Sequence, residues 1–124
     1  MPSQTTYTIH GATLRLAELA EEKENRAKTV RKQLAKDSRA AAGESLASTV
    51  AIIGAMETEA AQFYQFGDLL SEGNPPALLI RAAAKQAAEG LLEQGQLRPD
   101  RPGERIGLTR AAHDIIDVLT RIEN

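Results

Sequence analysis

The sequence contains no cysteine and no tryptophan, and it has only two phenylalanines and two tyrosines. The absence of cysteine excludes disulfide bonds, zinc sites with thiolate ligands and cysteine nucleophiles. With so few aromatic side chains, the core has to be built from leucine, isoleucine, valine and alanine, a composition that favours helices. No apolar run approaches the ~18 residues of a membrane span, and the N-terminus lacks the pattern of a secretory signal, so we expect a cytoplasmic protein.

Length and charge restrict the class of protein further. A chain of 124 residues corresponds to one compact domain, and its 42% apolar and 26% charged residues are typical of a soluble globular protein. Fifteen basic and seventeen acidic residues give a net charge of −2, whereas nucleic-acid-binding domains are usually strongly basic. DNA binding would therefore require a local basic surface.

Motifs for catalysis and for metal binding are also lacking. His10 and His113 are far apart, and neither belongs to a pair with the spacing of metal ligands. There is no phosphate-binding loop, dinucleotide-binding fingerprint or nucleophile elbow. Glu57 and Glu59 are two positions apart, which points them to different sides of a helix, and we interpret them as a solvated face. The sequence predicts a protein that is not an enzyme and has no cofactor or metal.

The N-terminal third predicts an arm followed by one long helix. Thr5 to Ile9 are mostly β-branched or aromatic, which indicates a short strand or an arm packed on the body. No glycine or proline occurs from Ala12 to Ala42, and we predict a helix from Thr13 to Ala42. Its thin apolar stripe, at near-heptad spacing, predicts a homodimer contact because most of this helix is polar; the residues are Leu16, Ala20, Ala27, Val30 and Leu34. The alternative is a long helix that lies across its own domain.

The rest of the chain, residues 44–124, predicts a second unit. A helix begins at Glu44 or Ser45, continues through the most apolar segment and is partly interrupted at Gly67. Gly73 to Pro76 end it and start a third helix, which reaches about Glu89. A turn rich in proline and glycine, residues 98–103, then separates two short segments and indicates a β-hairpin. Thr109 is a candidate cap for a last helix that ends at Ile122.

Three motifs near the end of the chain carry a family resemblance: Gly90-Leu91-Leu92, Asp100-Arg101 and Ile106-Gly107-Leu108-Thr109. Their order and spacing resemble the second half of a winged helix-turn-helix domain, most closely that of the MarR-type bacterial regulators, over residues 66–122. The resemblance implies a mainly helical fold with a short β-hairpin wing, and double-stranded DNA as the partner. It implies DNA contacts from the recognition helix and the wing, namely Arg81, Lys85, Arg98, Arg101 and Arg105.

Two functions are therefore open. The first is a small dimeric transcriptional regulator, in which Arg101 at the wing tip enters the minor groove of DNA. The second is a helical protein-interaction or inhibitory accessory factor on a winged-helix-like scaffold. Its contact would be Leu78, Leu79 and Ile80, because apolar side chains suit another protein better than a phosphate backbone. A simpler interpretation is that the arginines of the wing only make the hairpin soluble.

Overall fold

In the computed structural model, which describes residues 6–36, 44–92 and 103–123, the described residues form four helices. They are α1 (Ile9–Lys36), α2 (Glu44–Ser71), α3 (Pro76–Leu92) and α4 (Glu104–Thr120). The α1 helix packs along α2, and α3 packs along α4. Contacts between α2 and α4 join these two pairs, whereas α2 and α3 barely touch each other.

The helix ends follow from local chemistry. Thr8 caps α1, because its Oγ1 accepts a hydrogen bond from the backbone N–H of Gly11 at 2.9 Å. Gly73 ends α2 with a φ of 98°, a left-handed conformation that favours glycine. Pro76 begins α3, as the sequence predicts. The interruption predicted at Gly67 is wrong, because α2 continues through this residue to Ser71.

One hydrophobic core joins all four helices. Its largest fully buried side chains are Phe63, Leu16, Leu70, Ile115 and Leu119. Small residues let the helices approach closely, and several alanines have almost no exposed surface: Ala12, Ala20, Ala60, Ala83, Ala111 and Ala112. Because α1 contributes to this same core, the boundary that the sequence suggests at residue 43 does not separate two cores.

The N-terminal arm contacts the other end of the described chain. The Tyr7 N–H donates to the Arg121 carbonyl oxygen at 2.8 Å, and the Glu123 N–H donates to the Tyr7 carbonyl oxygen at 2.9 Å. These two hydrogen bonds form an isolated parallel bridge between Tyr7 and Ile122. For residues 6–8, the predicted arm packed on the body is therefore confirmed.

The predicted β-hairpin wing is wrong. Its second strand, residues 104–108, forms the beginning of α4, and no strand occurs in residues 6–36, 44–92 or 103–123. Two glycines explain the difference, because they let the start of α4 touch the backbone of α2. A Cβ atom on Gly103 would lie 2.0 Å from the Ala51 carbonyl oxygen, and one on Gly107 would lie 2.5 Å from the Ala55 carbonyl oxygen. This packing favours a helix in a segment whose turn residues suggested a hairpin.

The apolar stripe of α1 has a partner within the chain. Leu16 and Ala20 are fully buried and Ala27 is almost so, while Val30 and Leu34 are half-buried. The dimer prediction assumed that so short a chain has no surface to cover this stripe, and that assumption is wrong because α2 is as long as α1 and packs along it. Leu16, Ala20 and Ala27 are therefore covered within the chain, and their part in a dimer contact stays a prediction. Homodimerisation itself stays a prediction.

Candidate functional site

The α1 and α2 helices extend beyond the four-helix core. The α2 residues of that core begin at Ala60, and α3 makes no contact with α1 within the described residues. Within the described residues, the last turns of α1 pack on the first turns of α2, and α4 contacts α2 from Ala51 onward. Leu46 and Val50 of α2 are each 39% exposed there, whereas Ile53 is only 6% exposed.

A groove of about 610 Å³ opens between this end of the two helices and the start of α4. We call it the hairpin groove, after the pair of helices α1 and α2 and not after the predicted β-hairpin. Its lining residues are Arg31, Leu34, Val50, Ile53, Gly54, Glu57, Thr58 and Glu104. Leu46 lies one turn before Val50 on α2 and continues the apolar surface beyond the groove. The hairpin groove is therefore an apolar depression with charged residues at its edges.

Gly54 is one of the residues that line the hairpin groove. It lies inside α2, more than two turns from either end of the helix. Glycine inside a helix is destabilising by roughly 0.5–1 kcal/mol relative to alanine. No turn or helix end explains a glycine at this position, and it is one of the residues that line the groove.

The last turns of α1 are basic. From Asn25 to the end of α1 at Lys36 there is no acidic residue. Arg31 forms an ion pair with Glu57 of α2, and both side chains are largely exposed. Lys28, Lys32 and Lys36 are exposed and form no ion pair with a described residue. We call these residues, at spacings of three and four along α1, the basic edge: Lys28, Arg31, Lys32 and Lys36.

The solvated face predicted at Glu57 and Glu59 is wrong for Glu59. Glu57 is exposed, but Glu59 is only 1% exposed, because α2 turns it toward α1 and α4. Its carboxylate lies 3.4 Å from the Lys23 ammonium group of α1. Burial raises the pKa of Glu59, while Lys23 and Arg110 oppose that rise and Asp114 adds to it. The structure thus places a buried charged pair between the helices beside the core.

Some of the residues predicted to bind DNA lie outside the described residues, and the others lie on α3 and α4. Arg98 and Arg101 lie outside the described residues. Arg81 and Lys85 are exposed one turn apart on α3, as a DNA-contacting surface requires. Lys85 and Arg105 line the same hollow of about 300 Å³ between α3 and α4, which Glu89 also lines. Arg105 belongs to α4 and not to a wing strand.

The apolar contact predicted on α3 does not form a continuous surface. Leu78 is 51% exposed, but Leu79 is only 3% exposed and belongs to the core. Ile80 is half-buried and packs against the same core. Since only Leu78 offers a large exposed area, this segment is a weaker candidate for protein binding than the hairpin groove.

Within the part of the chain that the structure describes, no three histidine, aspartate or glutamate side chains are grouped so that they could hold a metal ion. None of the helices in the described ranges is long and apolar enough to cross a membrane. Comparison of the chain with models of protein families, with curated proteins and with solved structures finds no match. The resemblance to MarR-type regulators stays a prediction.

Proposed function

We propose that this protein is a helical interaction factor that binds an amphipathic helix of a partner protein in the hairpin groove. The observation that carries the proposal is an apolar groove at the end of two helices, with a glycine inside one of them. On a surface that contacts only water, polar side chains are expected. The apolar side chains of Leu34, Val50 and Ile53 line this depression instead.

The dimensions of the apolar surface suit a helix. Leu46, Val50 and Ile53 occupy positions i, i+4 and i+7 of α2, which places them on one face. At about 1.5 Å per residue they cover about 10 Å along the helix axis, a length of two turns. Helices that bind in grooves present apolar anchors at i, i+3 or i+4, and i+7, and these anchors cover the same length.

Gly54 gives the sharpest test of this function. Amphipathic helical peptides can be selected from a displayed library against the wild-type protein, and the affinity of the selected peptides can then be measured for the wild type and for Gly54→Leu. A leucine side chain would occupy the groove, so we expect binding to weaken at least about tenfold, which is ~1.4 kcal/mol. Leucine also favours a helix more than glycine does, so the variant should remain folded.

Ala84→Leu is the matched control. Ala84 is exposed on α3, outside the hairpin groove, so the same side chain added there should leave peptide affinity unchanged. Circular dichroism and urea unfolding of all three proteins would establish that the variants fold. If no peptide is selected, or if Gly54→Leu binds the peptides as tightly as the wild type does, the proposed function is wrong.

DNA binding is the second candidate function, supported by a specific arrangement. Arg81 and Lys85 are exposed on one side of α3, and Lys85 shares a hollow with Arg105 of α4. These side chains could contact phosphates without a wing. The basic edge of α1 would extend such a contact to neighbouring phosphates.

The salt dependence of binding to random duplex DNA tests this second candidate. If Arg81 and Lys85 contact phosphates, the double variant Arg81→Glu, Lys85→Glu should bind more weakly. Its log–log salt dependence should also be flatter by about 0.9 for each phosphate that the variant no longer neutralises. Fluorescence anisotropy at low and moderate salt measures both quantities. The absence of binding by the wild type at low salt would exclude the DNA-binding function.

A further inference from the structure

We infer that α1 pairs with the α1 helix of a second copy of this chain, with the two helices antiparallel and with Asn25 at the two-fold axis. The contact is the exposed side of α1. The observation that carries the inference is the order of charge along this side, which complements itself in the antiparallel direction and not in the parallel one. This pairing is independent of the peptide contact proposed in the hairpin groove.

The contact surface consists of exposed residues at alternating spacings of four and three along α1, the spacing of the seam in a two-stranded coiled coil. We call it the outer face, and its residues are Leu14, Glu18, Glu21, Asn25, Lys28 and Lys32. The α1 residues that are buried in the core of the chain, such as Leu16 and Ala20, lie on the other side of the helix. The outer face therefore has no partner among the described helices.

Charge is separated along the outer face, with Asn25 at the boundary. Glu18 lies seven residues before Asn25 and Lys32 lies seven residues after it, while Glu21 lies four before and Lys28 three after. In an antiparallel pair centred on Asn25, Glu18 of each copy is level with Lys32 of the other, and Glu21 is level with Lys28 to within one residue. Opposite charges meet at both levels, whereas a parallel pair would align like charges.

The described part of the chain does not compensate this order of charge. Like charges at i and i+4, such as Lys28 and Lys32, destabilise an isolated helix. Glu21, Lys28 and Lys32 form no ion pair with a described residue. Glu18 pairs with Arg15 of its own helix, and it lies more than two turns inside α1, beyond the first turn where the helix dipole favours an acidic residue. A second copy would supply the opposite charges.

Asn25 is the residue that meets its own copy at the axis. Its side chain is exposed, and its amide group both donates and accepts hydrogen bonds, so the two Asn25 side chains can bond to each other. A single asparagine in a helical seam also fixes the register of the pair. Because the outer face is mostly polar, we expect a weak dimer that forms at low salt.

Charge variants test the pairing by analytical ultracentrifugation. The wild type should form dimers at low salt and high protein concentration and should dissociate as salt is added. The variants Glu18→Lys, Glu21→Lys and Lys28→Glu, Lys32→Glu each have charges of one sign on the outer face. Each variant alone should associate at least about tenfold more weakly than the wild type. An equimolar mixture of the two should form a heterodimer, because every charge pair across the contact is again opposite.

The matched control changes the same charge elsewhere. Arg81→Glu, Lys85→Glu alters the net charge as much as Lys28→Glu, Lys32→Glu does, but on α3. This control should associate as tightly as the wild type. Circular dichroism of all variants would establish that they fold, as expected for substitutions of exposed residues.

Cysteine crosslinking tests the antiparallel direction. Because the chain has no cysteine, one introduced cysteine can form a disulfide only between two copies. Asn25→Cys should crosslink at low salt under mild oxidation, since the two side chains meet at the axis. Leu14→Cys lies on the same face, but in the antiparallel pair its two copies would be about 33 Å apart and should not crosslink.

Three results would overturn the inference. A wild type that stays monomeric at low salt and high concentration would exclude the contact. Association of both charge variants as tight as that of the wild type would show that the outer face takes no part in it. Crosslinking of Leu14→Cys as readily as of Asn25→Cys would exclude the antiparallel arrangement.

Discussion

Glu59 is the residue whose environment differs most from what its type suggests. Its carboxyl group is buried between α2, α1 and α4, where desolvation destabilises the charged form. The Lys23 ammonium group at 3.4 Å, with Arg110, offsets part of this effect, and Asp114 opposes them. Because desolvation is the larger effect, the pKa of Glu59 in the folded protein lies above its ordinary value of 4.5.

This raised pKa predicts a pH dependence of stability with a definite sign. Between the raised pKa and 4.5, the folded protein binds a proton at Glu59 more readily than the unfolded chain does. Lowering the pH through this interval should therefore stabilise the folded state through this group, and the contribution should be complete below 4.5. The Glu59→Gln variant removes the titration. The free energy of unfolding of the wild type minus that of the variant should grow as the pH falls.

Urea unfolding of both proteins over a series of pH values measures this difference, in which the effects of the other carboxylates largely cancel. Glu57→Gln is the control for the removal of a carboxylate from α2, since Glu57 is exposed. A difference between wild type and Glu59→Gln that shrinks as the pH falls would show that the ion pair with Lys23 outweighs desolvation.

At the scale of the helices, close contact between α4 and α2 explains why a predicted hairpin is a helix. Gly103 and Gly107 are four residues apart and face α2 at Ala51, Ala55 and Thr58. The small residues on both helices allow the two backbones to meet. Gly67 of α2 is different, because a Cβ atom there would lie 3.6 Å from the Leu16 Cβ, an ordinary contact distance.

This difference predicts opposite effects for two glycine-to-alanine substitutions. Gly107→Ala should lower the free energy of unfolding by ~1–3 kcal/mol, because the new methyl group would overlap α2 and force a backbone shift. Gly67→Ala should raise it by ~0.4–1 kcal/mol, since the methyl group has space there and alanine favours the helix. Urea midpoints of the two variants and the wild type measure both effects. Shifts in the same direction would contradict the close α2–α4 contact as the cause.

At the scale of the whole molecule, the features that the sequence predicts correctly are helix ends that depend on local chemistry. The start of α3 at Pro76 and the end of α2 before Gly73 follow from turn and helix-start rules. The sequence does not predict that Glu104 to Leu108 are helical, because that depends on contact with a distant part of α2. It also does not predict the hairpin groove, since Val50 looks like a core residue in the sequence although it is 39% exposed in the structure. The glycine at position 54, inside a helix and in the lining of the groove, is a signal that the sequence offers.

The bridge between Tyr7 and Ile122 has a topological consequence. It places segments from opposite ends of the described chain side by side, so a short linker could join them and close the backbone into a ring. New termini could then be opened at Glu72 and Gly73, which are exposed in the turn after α2, without cutting a helix. Such a circular permutant would start with α3 and α4 and finish with α1 and α2, and it would retain every helix contact described above. The fold should therefore tolerate circular permutation of its helices. The turn at Glu72 and Gly73 is also a site where another domain could be inserted.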